Sequence, residues 1–389
     1  MEFDPSWLLL ALPLAFALGW WAARLDLRQG RDESRRAPKA YFKGLNFLLN
    51  EQQDQAIDAF IEAVQSDPDT TELHFALGNL FRRRGEYHRA VRVHEHLLSR
   101  ADLARTDRDR AQHGLAQDYL KAGLLDRAEE ALRRLEGTAF EAQARVALLS
   151  IYERSHDWPQ AIAIAERMHT SQQGDYSTRR AHYWCEQAQL LQARGDTAAA
   201  QTLLQQAIDM APSAARARIA LARLQHHLSH STAALESLRQ LATHSPSALP
   251  LAASLLVEVA NATGQQADIS PWLQALYRDM PSLDLLNALI ALDCPAQANT
   301  PDAARIAQQW QAQYLEQEPS LVVAAQWLSH ETLTHEAQHP LVQRAFDAAA
   351  KPLTRYRCAA CGFEAHQHFW QCPGCQSWDS YPPRRVEEL

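Results

Sequence analysis

Apolar and polar positions divide the 389-residue chain into one uninterrupted apolar run and a long stretch with helical spacing. From Trp7 to Ala23 the sequence WLLLALPLAFALGWWAA contains no charged residue. From about residue 37 onward, small and apolar residues instead recur among polar ones at spacings that favour α-helices. The pattern predicts a short apolar segment followed by many helices.

Small residues recur along the helical stretch at a nearly constant interval. Gly44 and Gly78 are 34 residues apart, and so are Ala56 and Ala90. The series continues, at steps of 38, 33, 39 and 34, with Ala128, Ala161, Ala200 and Ala234. A helix–turn–helix unit of about 34 residues is the tetratricopeptide period. In such a unit, small residues let the two helices cross closely.

Three further residue types support this repeat. Aromatic residues are expected to pack beside the crossing at Phe47, Phe81, Tyr119 and Tyr152. Glycines are expected in the turn between the helices at Gly85, Gly123 and Gly195, because a positive φ is cheap there. Prolines separate units at Pro68, Pro212, Pro246 and Pro281. Six units are recognisable from about residue 37 to 246, and two degenerate ones follow at 247–281 and 282–319. An irregular helical bundle is the alternative.

The apolar run predicts a transmembrane anchor at residues 1–23. Its seventeen uncharged residues would extend about 25 Å as a helix, near the lower limit for a bilayer. No Lys or Arg precedes the run, whereas a cleaved signal peptide has a basic start. A basic juxtamembrane linker follows at residues 24–36, with Arg24, Arg28, Arg31, Arg35 and Arg36. The positive-inside rule then predicts a single span whose following chain is cytoplasmic.

Composition favours an all-α fold with a large core. Hydrophobic residues make up 47% of the chain, glycine is scarce, and Ala, Leu, Gln, Glu and Arg dominate. The net charge of −8 gives no reason to expect a nucleic-acid partner. Cys185 and Cys294 lie singly in apolar helical patterns and are interpreted as core thiols.

The other four cysteines form two closely spaced pairs, Cys358-x2-Cys361 and Cys372-x2-Cys375, ten residues apart. This spacing predicts one tetrahedral metal site. All four ligands would be thiolates, which leaves no position for water or substrate and indicates a structural site. Iron and zinc both suit four thiolates, so the metal stays open. Disulfides are the competing interpretation, and a reducing cytoplasm argues against them.

Two histidine patterns near the cysteines are not interpreted as metal sites. His366 and His368 lie between the pairs and are expected at the surface or behind the ligands. The sequence HEAQH, from His335 to His339, matches a zinc-protease motif, but Pro340 disfavours α geometry at His339, so the helix should end there. With no other catalytic motif present, the sequence predicts no enzyme.

A segment of about 30 residues cannot bury enough core to fold alone, so metal binding should fold the cysteine-rich module. Its aromatic residues exceed what so small a module can bury: Tyr356, Phe363, Phe369, Trp370 and Trp378. Some of them are expected to pack on the last helices, between about residues 320 and 350.

A tetratricopeptide solenoid is a surface for other proteins, and the first helix of each unit is expected to line its concave face. A basic groove there would suit an acidic partner segment, although a merely solvated helix face is the alternative for any one residue. The predicted partner-binding residues are Asn79, Arg82, Arg83, His113, Gln117, Lys121, Arg216 and Arg223.

The order of parts resembles the lipopolysaccharide assembly protein B family of Gram-negative bacteria. The resemblance rests on the N-terminal segment, the repeats and the sequence YRCAACGFEAHQHFWQCPGC, and it spans the chain. It implies an anchor at 1–23, a linker at 24–36, a solenoid at 37–319, connecting helices at 320–352 and a rubredoxin-like domain at 353–389. Gln376 departs from the rubredoxin pattern, in which a second glycine is usual, and the loop between the cysteine pairs is short.

The resemblance also implies a function and partners. It predicts an inner-membrane adaptor, with a periplasmic N-terminus, that restrains lipopolysaccharide synthesis. The adaptor would bring the lipid A-committing deacetylase to a membrane-anchored, ATP-dependent zinc protease, and an inner-membrane protein that senses lipopolysaccharide would antagonise it. A non-proteolytic scaffold for envelope-synthesis enzymes and an iron-based electron carrier are the alternatives. Homodimerisation is left open by the sequence.

Overall fold

Strong helix formers dominate the chain, and most of the described residues are α-helical. The structure, a computed structural model, describes residues 16, 20, 21, 42–66, 70–294, 301–329 and 339–389. It divides into two compact units, Met1–His156 and Asp157–Leu389. The tetratricopeptide architecture predicted from the repeats is confirmed, as is a small C-terminal ribbon.

In the first unit, each helix packs against the next helix in the chain. Helix α1 covers residues 42–49. It is followed by α2 (Gln53–Ser66), α3 (Thr71–Arg84), α4 (Tyr87–Ser99), α5 (Arg105–Lys121), α6 (Leu125–Arg133) and α7 (Glu141–Ser155).

The second unit contains the remaining helices and the ribbon. Its first helices are α8 (Trp158–Thr170), α9 (Ser177–Ala193), α10 (Thr197–Met210), α11 (Ala215–His227) and α12 (Ser231–His244). A 3₁₀ segment, Pro246–Ala252, leads into α13 (Ala253–Thr263), α14 (Gln266–Asp279), α15 (Leu283–Asp293), α16 (Pro301–Gln317), α17 (Leu321–Leu328) and α18 (His339–Ala350). The ribbon strands β1 (Tyr356–Arg357) and β2 (Glu364–Ala365) are antiparallel, with Tyr356 opposite Ala365, and a 3₁₀ turn, Val386–Glu388, follows.

The recurring alanines lie where helices pack most closely. All six are fully buried, at 0% exposure: Ala56, Ala90, Ala128, Ala161, Ala200 and Ala234. Glycines allow equally close approaches elsewhere. A Cβ atom on Gly44 would lie 2.9 Å from the Phe60 ring, and one on Gly78 would lie 2.7 Å from the His94 ring. The predicted need for small residues at these positions is confirmed.

The turn inside each helix pair uses one left-handed residue. Gly85 ends α3 with φ +84°, and the Glu86 amide donates to the Phe81 carbonyl at 2.8 Å. The same conformation recurs at Gly123, His156, Gly195 and Ser229. These positions follow one another at 38, 33, 39 and 34 residues, the same steps as the alanines. Sequence patterns identified only the glycines of this series.

The predicted anchor at 1–23 and linker at 24–36 lie outside the described residues, apart from Phe16, Trp20 and Trp21. Within the described part of the chain, no helix combines the length and the apolar character that crossing a bilayer requires.

The HEAQH segment also lies mostly outside the described residues, which resume at His339. His339 is helical, contrary to the expectation from Pro340, because both residues belong to the first described turn of α18.

Candidate metal centre and its contact with the repeats

The two cysteine pairs fold into two turns with the same hydrogen bonds. In the first turn the Gly362 amide donates to the Cys358 carbonyl at 2.9 Å, and in the second the Gln376 amide donates to the Cys372 carbonyl at 2.8 Å. The amides of Cys358 and Cys372 in turn donate, each at 2.9 Å, to the carbonyls of Phe363 and Ser377. Each turn therefore holds both of its sulfur atoms on one side.

The four sulfur atoms converge on one point. All four lie within 4.8 Å of one another, and the Sγ–Sγ distances are 3.8 Å for Cys358 and Cys375 and 3.7 Å for Cys361 and Cys372. All are free thiols, so no disulfide competes with metal binding. Cys358 and Cys372 are buried, whereas Cys361 and Cys375 are exposed. Such a cluster could hold one metal ion, and the geometry does not distinguish iron from zinc.

Electrostatics within the cluster favour a bound cation. Burial raises the pKa of the Cys358 thiol, but hydrogen bonds to Ser380 and to backbone amides outweigh it and lower that pKa to about 6. The Phe363 amide lowers the pKa of Cys361, but burial and hydrogen bonds with the other thiols raise it to about 12. Neighbouring thiolates repel one another, so the four thiols do not all ionise without a cation. A bound dication would offset this repulsion and keep all four ligands as thiolates.

His366 and His368 are not part of the cluster, as predicted. His366 is exposed, and His368 Nε2 lies 3.1 Å from the Tyr381 carbonyl oxygen. Burial lowers the pKa of His368. The two isolated cysteines were predicted to be core thiols. Cys185 is buried, and burial raises the pKa of its thiol to about 12, whereas Cys294 is only half-buried.

Trp378, three residues after the last cysteine, joins the metal module to helices α8 and α9. Its ring lies edge-on to Trp158 and Tyr183, with centroid separations of 6.4 and 5.9 Å. It stacks on His182 at 4.8 Å with an interplanar angle of 21°. Trp158 and Tyr183 are 2% and 0% exposed, so Trp378 packs against two buried aromatic rings.

A histidine–aspartate pair lies beside this aromatic contact. His182 Nε2 is 2.9 and 2.8 Å from the two carboxylate oxygens of Asp379. The backbone of Asp379 has φ +50°, which directs the carboxylate at a residue 197 positions earlier in the chain. The module is therefore held by a polar contact as well as by Trp378.

The residues after the module bind helices α15 and α17. Arg385 donates to both carboxylate oxygens of Asp284, at 2.8 and 3.1 Å, and stacks over the Tyr356 ring at 4.3 Å. Glu388 accepts the Leu283 amide at 2.7 Å, at the start of α15. Glu387 accepts the Ser320 hydroxyl at 2.7 Å and backbone amides at the start of α17. Both glutamates supply hydrogen-bond acceptors to helix N-termini, where negative charge is favourable.

The docking surface extends beyond the expected one. The sequence predicted aromatic packing on residues 320–350, and Trp370 does pack against the core cluster that includes Val323 and Ala350. Trp378, however, packs on α8 and α9, and Glu387 hydrogen-bonds to the start of α17. The reason is that the chain after α18 runs back to helices far earlier in the sequence. His182, Asp284 and Trp158 were not recognised as docking residues. The one sequence feature that pointed to such docking residues was the excess of aromatic residues in the module.

The predicted partner-binding residues of the first unit have unequal surroundings. Arg82 donates to Asp118 at 2.8 Å, and Asn79 also accepts from Arg82. Asp118, which is 0% exposed, lies 2.6 Å from the buried His94 ring nitrogen. His113 stacks on Phe140 and lies within hydrogen-bond distance of Gln117. The two that are exposed are Arg83 and Lys121.

The two predicted partner-binding residues of the second unit also differ. Arg216 is 6% exposed, donates to Glu186 at 2.7 Å and lies 5.9 Å from the Trp378 ring centroid. Arg216 therefore lies against the docked module rather than at a free surface. Arg223, two turns later on α11, is exposed.

Family models match both parts of the molecule. Residues 356–382 match a model described as rubredoxin metal binding domain, and residues 73–109 and 185–248 match tetratricopeptide repeat models. A crystal structure of a tetratricopeptide repeat protein from Parabacteroides merdae covers 67% of this chain and 99% of its own, at 15% identity and a TM-score of 0.33. Fold and cysteine cluster together define a tetratricopeptide repeat protein with a C-terminal rubredoxin-like metal-binding domain.

Two full-length relatives extend the comparison. Lipopolysaccharide assembly protein B of Escherichia coli strain K12 is 32% identical across 97% of this chain and 98% of its own length. The protein of the same name from Haemophilus influenzae strain Rd is 27% identical across 98% of both chains. The chain belongs to the lipopolysaccharide assembly protein B family.

Proposed function

We propose that this chain is a non-catalytic inner-membrane adaptor that restrains lipopolysaccharide synthesis by directing a client enzyme to proteolysis. The client is the lipid A-committing deacetylase, and the protease is a membrane-anchored, ATP-dependent zinc protease. Residues 1–23 anchor the adaptor in a single span with the N-terminus in the periplasm. An inner-membrane protein that senses lipopolysaccharide relieves the restraint.

The observation that carries this proposal is the attachment of the metal module to the repeats. Trp378 and the His182–Asp379 pair fasten the module to α8 and α9, while Glu387 and Glu388 fasten the following residues to α17 and α15. All four thiols face the metal position, which supports a structural role for the ion. The name of the relatives supports lipopolysaccharide as the pathway.

The half-life of the deacetylase tests the proposal. We expect the deacetylase to be degraded more slowly in cells that lack this chain, and normal turnover to return with the full-length protein. A form lacking residues 1–23, expressed at equal abundance, should fail to restore turnover because the local concentration near the protease is lost. An unchanged half-life, together with a defect in envelope synthesis, would instead favour the scaffold.

Charge reversal tests the predicted basic surface. Arg83→Glu should weaken client binding without lowering the melting temperature, because Arg83 is exposed. Arg82→Glu is a poor probe, since it would place two carboxylates beside each other at the buried Asp118. Unchanged client binding by Arg83→Glu would show that Arg83 is not part of the partner-binding surface.

A further inference from the structure

The last residues of the chain are fastened to helices of the second unit. Residues 384–389, which we name the C-terminal clasp, bond to α15 and to the start of α17. Glu388 accepts the Leu283 amide at 2.7 Å, and Glu387 accepts the Val322 amide at 3.1 Å. Both amides lie in the first turn of a helix, where the backbone offers no acceptor. The clasp supplies the acceptors that these two helix ends lack.

The clasp also closes the metal module at its base. The Val386 amide donates to the Arg355 carbonyl at 2.7 Å, directly before β1. Arg385 donates to the neighbouring carbonyl of Thr354, also at 2.7 Å. The chain therefore enters and leaves the module at the same place, and residues 356–383 form a loop whose two ends are held together.

None of these bonds involves a metal ligand. Within the described part of the chain, the clasp hydrogen-bonds to α15, to the start of α17, to residues 353–355 and within itself, but to none of the four cysteines. Its strongest ion pair, between Arg385 and Asp284, joins it to α15 as well, at 2.8 and 3.1 Å. The clasp therefore does not need the metal in order to close.

A closed loop has a thermodynamic consequence for metal binding. Cys358 and Cys375, the first and last ligands, both lie inside the loop at residues 356–383. A segment with a free end must bring its cysteines together from a large ensemble of conformations, whereas a segment with fixed ends samples a smaller one. Cross-links that close loops of similar length stabilise folded proteins by restricting the unfolded state in this way.

We propose that the C-terminal clasp holds the ends of the metal module together in the metal-free protein and so prepares the four cysteines for metal capture. The clasp acts on the metal ion only through the geometry of the chain, because it supplies no ligand. Bound metal stabilises the clasp by the same factor, since the coupling of two equilibria is reciprocal. The proposal concerns metal retention and is independent of the proposed function.

Competition between the full-length protein in detergent and a chelator tests the clasp, with zinc as the probe. Glu387→Ala/Glu388→Ala removes the acceptors at both helix ends, and we expect zinc affinity to fall by about tenfold or more because the loop opens. Arg385→Ala leaves both helix ends intact and should also lower zinc affinity. Glu316→Ala/Glu318→Ala removes two exposed glutamates at the end of α16, and this matched charge control should bind zinc like the wild type.

Two further measurements separate the clasp from the other attachment of the module. Trp378→Ala breaks the contact with α8 and α9 but leaves the clasp in place, so its zinc affinity should equal that of the wild type. Hydrogen exchange of the Leu283 and Val322 amides reports on the clasp directly. In the metal-free wild type, both amides should exchange more slowly than in metal-free Glu387→Ala/Glu388→Ala.

The outcomes decide the proposal without reference to the deacetylase. Reduced zinc affinity in both clasp variants, with Trp378→Ala unchanged, supports it. Wild-type zinc affinity in either clasp variant overturns it. An equal loss of affinity in Trp378→Ala also overturns it, because the effect would then belong to docking in general. Equal amide exchange in the two metal-free proteins overturns it as well, since the clasp would then open with loss of the metal.

Discussion

Gln376 and Gly362 hold the same left-handed backbone position in the two halves of the metal module, with φ angles of +61° and +77°. Each follows the second cysteine of its pair and donates its amide to the carbonyl of the first. Glycine adopts this conformation without strain, whereas a side chain with a Cβ does not. Of the two cysteine turns, only the second therefore carries this backbone strain.

Replacing Gln376 by glycine should therefore stabilise the metal module. We expect a gain of about 0.5–1 kcal/mol, the relieved strain less the greater freedom of glycine in the unfolded chain. Gly362→Ala is the matched opposite, and it should cost about 1 kcal/mol through the backbone alone, because a Cβ there meets no atom within 4 Å. Competition with a chelator, followed by absorbance or metal release, measures both. Equal metal retention by the two variants would contradict the assignment of strain.

Loss of one ligand should unfold the module and spare the helices. In Cys372→Ser, we expect metal content to fall and hydrogen-exchange protection after residue 355 to disappear, because the metal supplies the folding free energy of so small a segment. The far-UV helical signal should stay nearly intact. Cys294→Ser, which alters a half-buried thiol outside the cluster, is the control. Persistent protection in Cys372→Ser would show that docking alone folds the module.

Trp378→Ala should detach a folded module from α8 and α9. The variant loses contacts with Trp158, Tyr183 and His182, which together amount to about 2–3 kcal/mol of docking free energy. Hydrogen exchange should then increase in α9 while metal content stays unchanged. Phe363→Ala removes an aromatic ring of the same module that is 45% exposed and should leave α9 protected. A similar response to both substitutions would refute the docking role of Trp378.

The sequence predicted the parts that depend on local spacing. The buried alanines repeat within each helix pair, and the four cysteines lie within one short segment, so period and spacing were enough. The contact between Asp379 and His182 was not predictable, because 197 residues separate the two and neither belongs to a motif. Arg82 shows the same limit. Whether it binds a partner or the core depends on Asp118, which only the packing of α3 on α5 brings within 2.8 Å.

The buried carboxylate of Asp118 should be essential to the first unit. Asp118→Asn leaves Arg82 and His94 without the charge that both contact, and we expect a loss of about 3 kcal/mol in unfolding free energy. Urea denaturation of the full chain should show an earlier transition for the first unit. Asp58→Asn, on the exposed surface of α2, should have almost no effect. A small effect at Asp118 would mean that the network contributes little net energy.

His113 should make the first unit less stable at acidic pH. Burial, and then the charge of Arg82, lower the pKa of His113 below its usual value near 6.5. The unfolded chain therefore binds more protons than the folded one around that pH, so stability falls as the pH decreases through 6.5. His113→Asn should remove this share of the pH dependence, whereas His88→Asn, at an exposed position, should retain it. Identical slopes of unfolding free energy against pH for wild type and His113→Asn would contradict the prediction.

The unequal repeat lengths follow from the first helix of each pair. Ala90, Ala128, Ala161, Ala200 and Ala234 each follow a left-handed residue by five positions (85 to 90, 123 to 128, 156 to 161, 195 to 200 and 229 to 234), so the turn never varies. The long steps of 38 and 39 end in pairs whose first helices, α5 and α9, have 17 residues, against 14, 15 and 13 in α3, α7 and α11. The difference is close to one helical turn of 3.6 residues. An insertion of a whole turn keeps the packed face of a helix in phase, so we expect a four-residue insertion in one of these first helices to be tolerated better than a single-residue insertion.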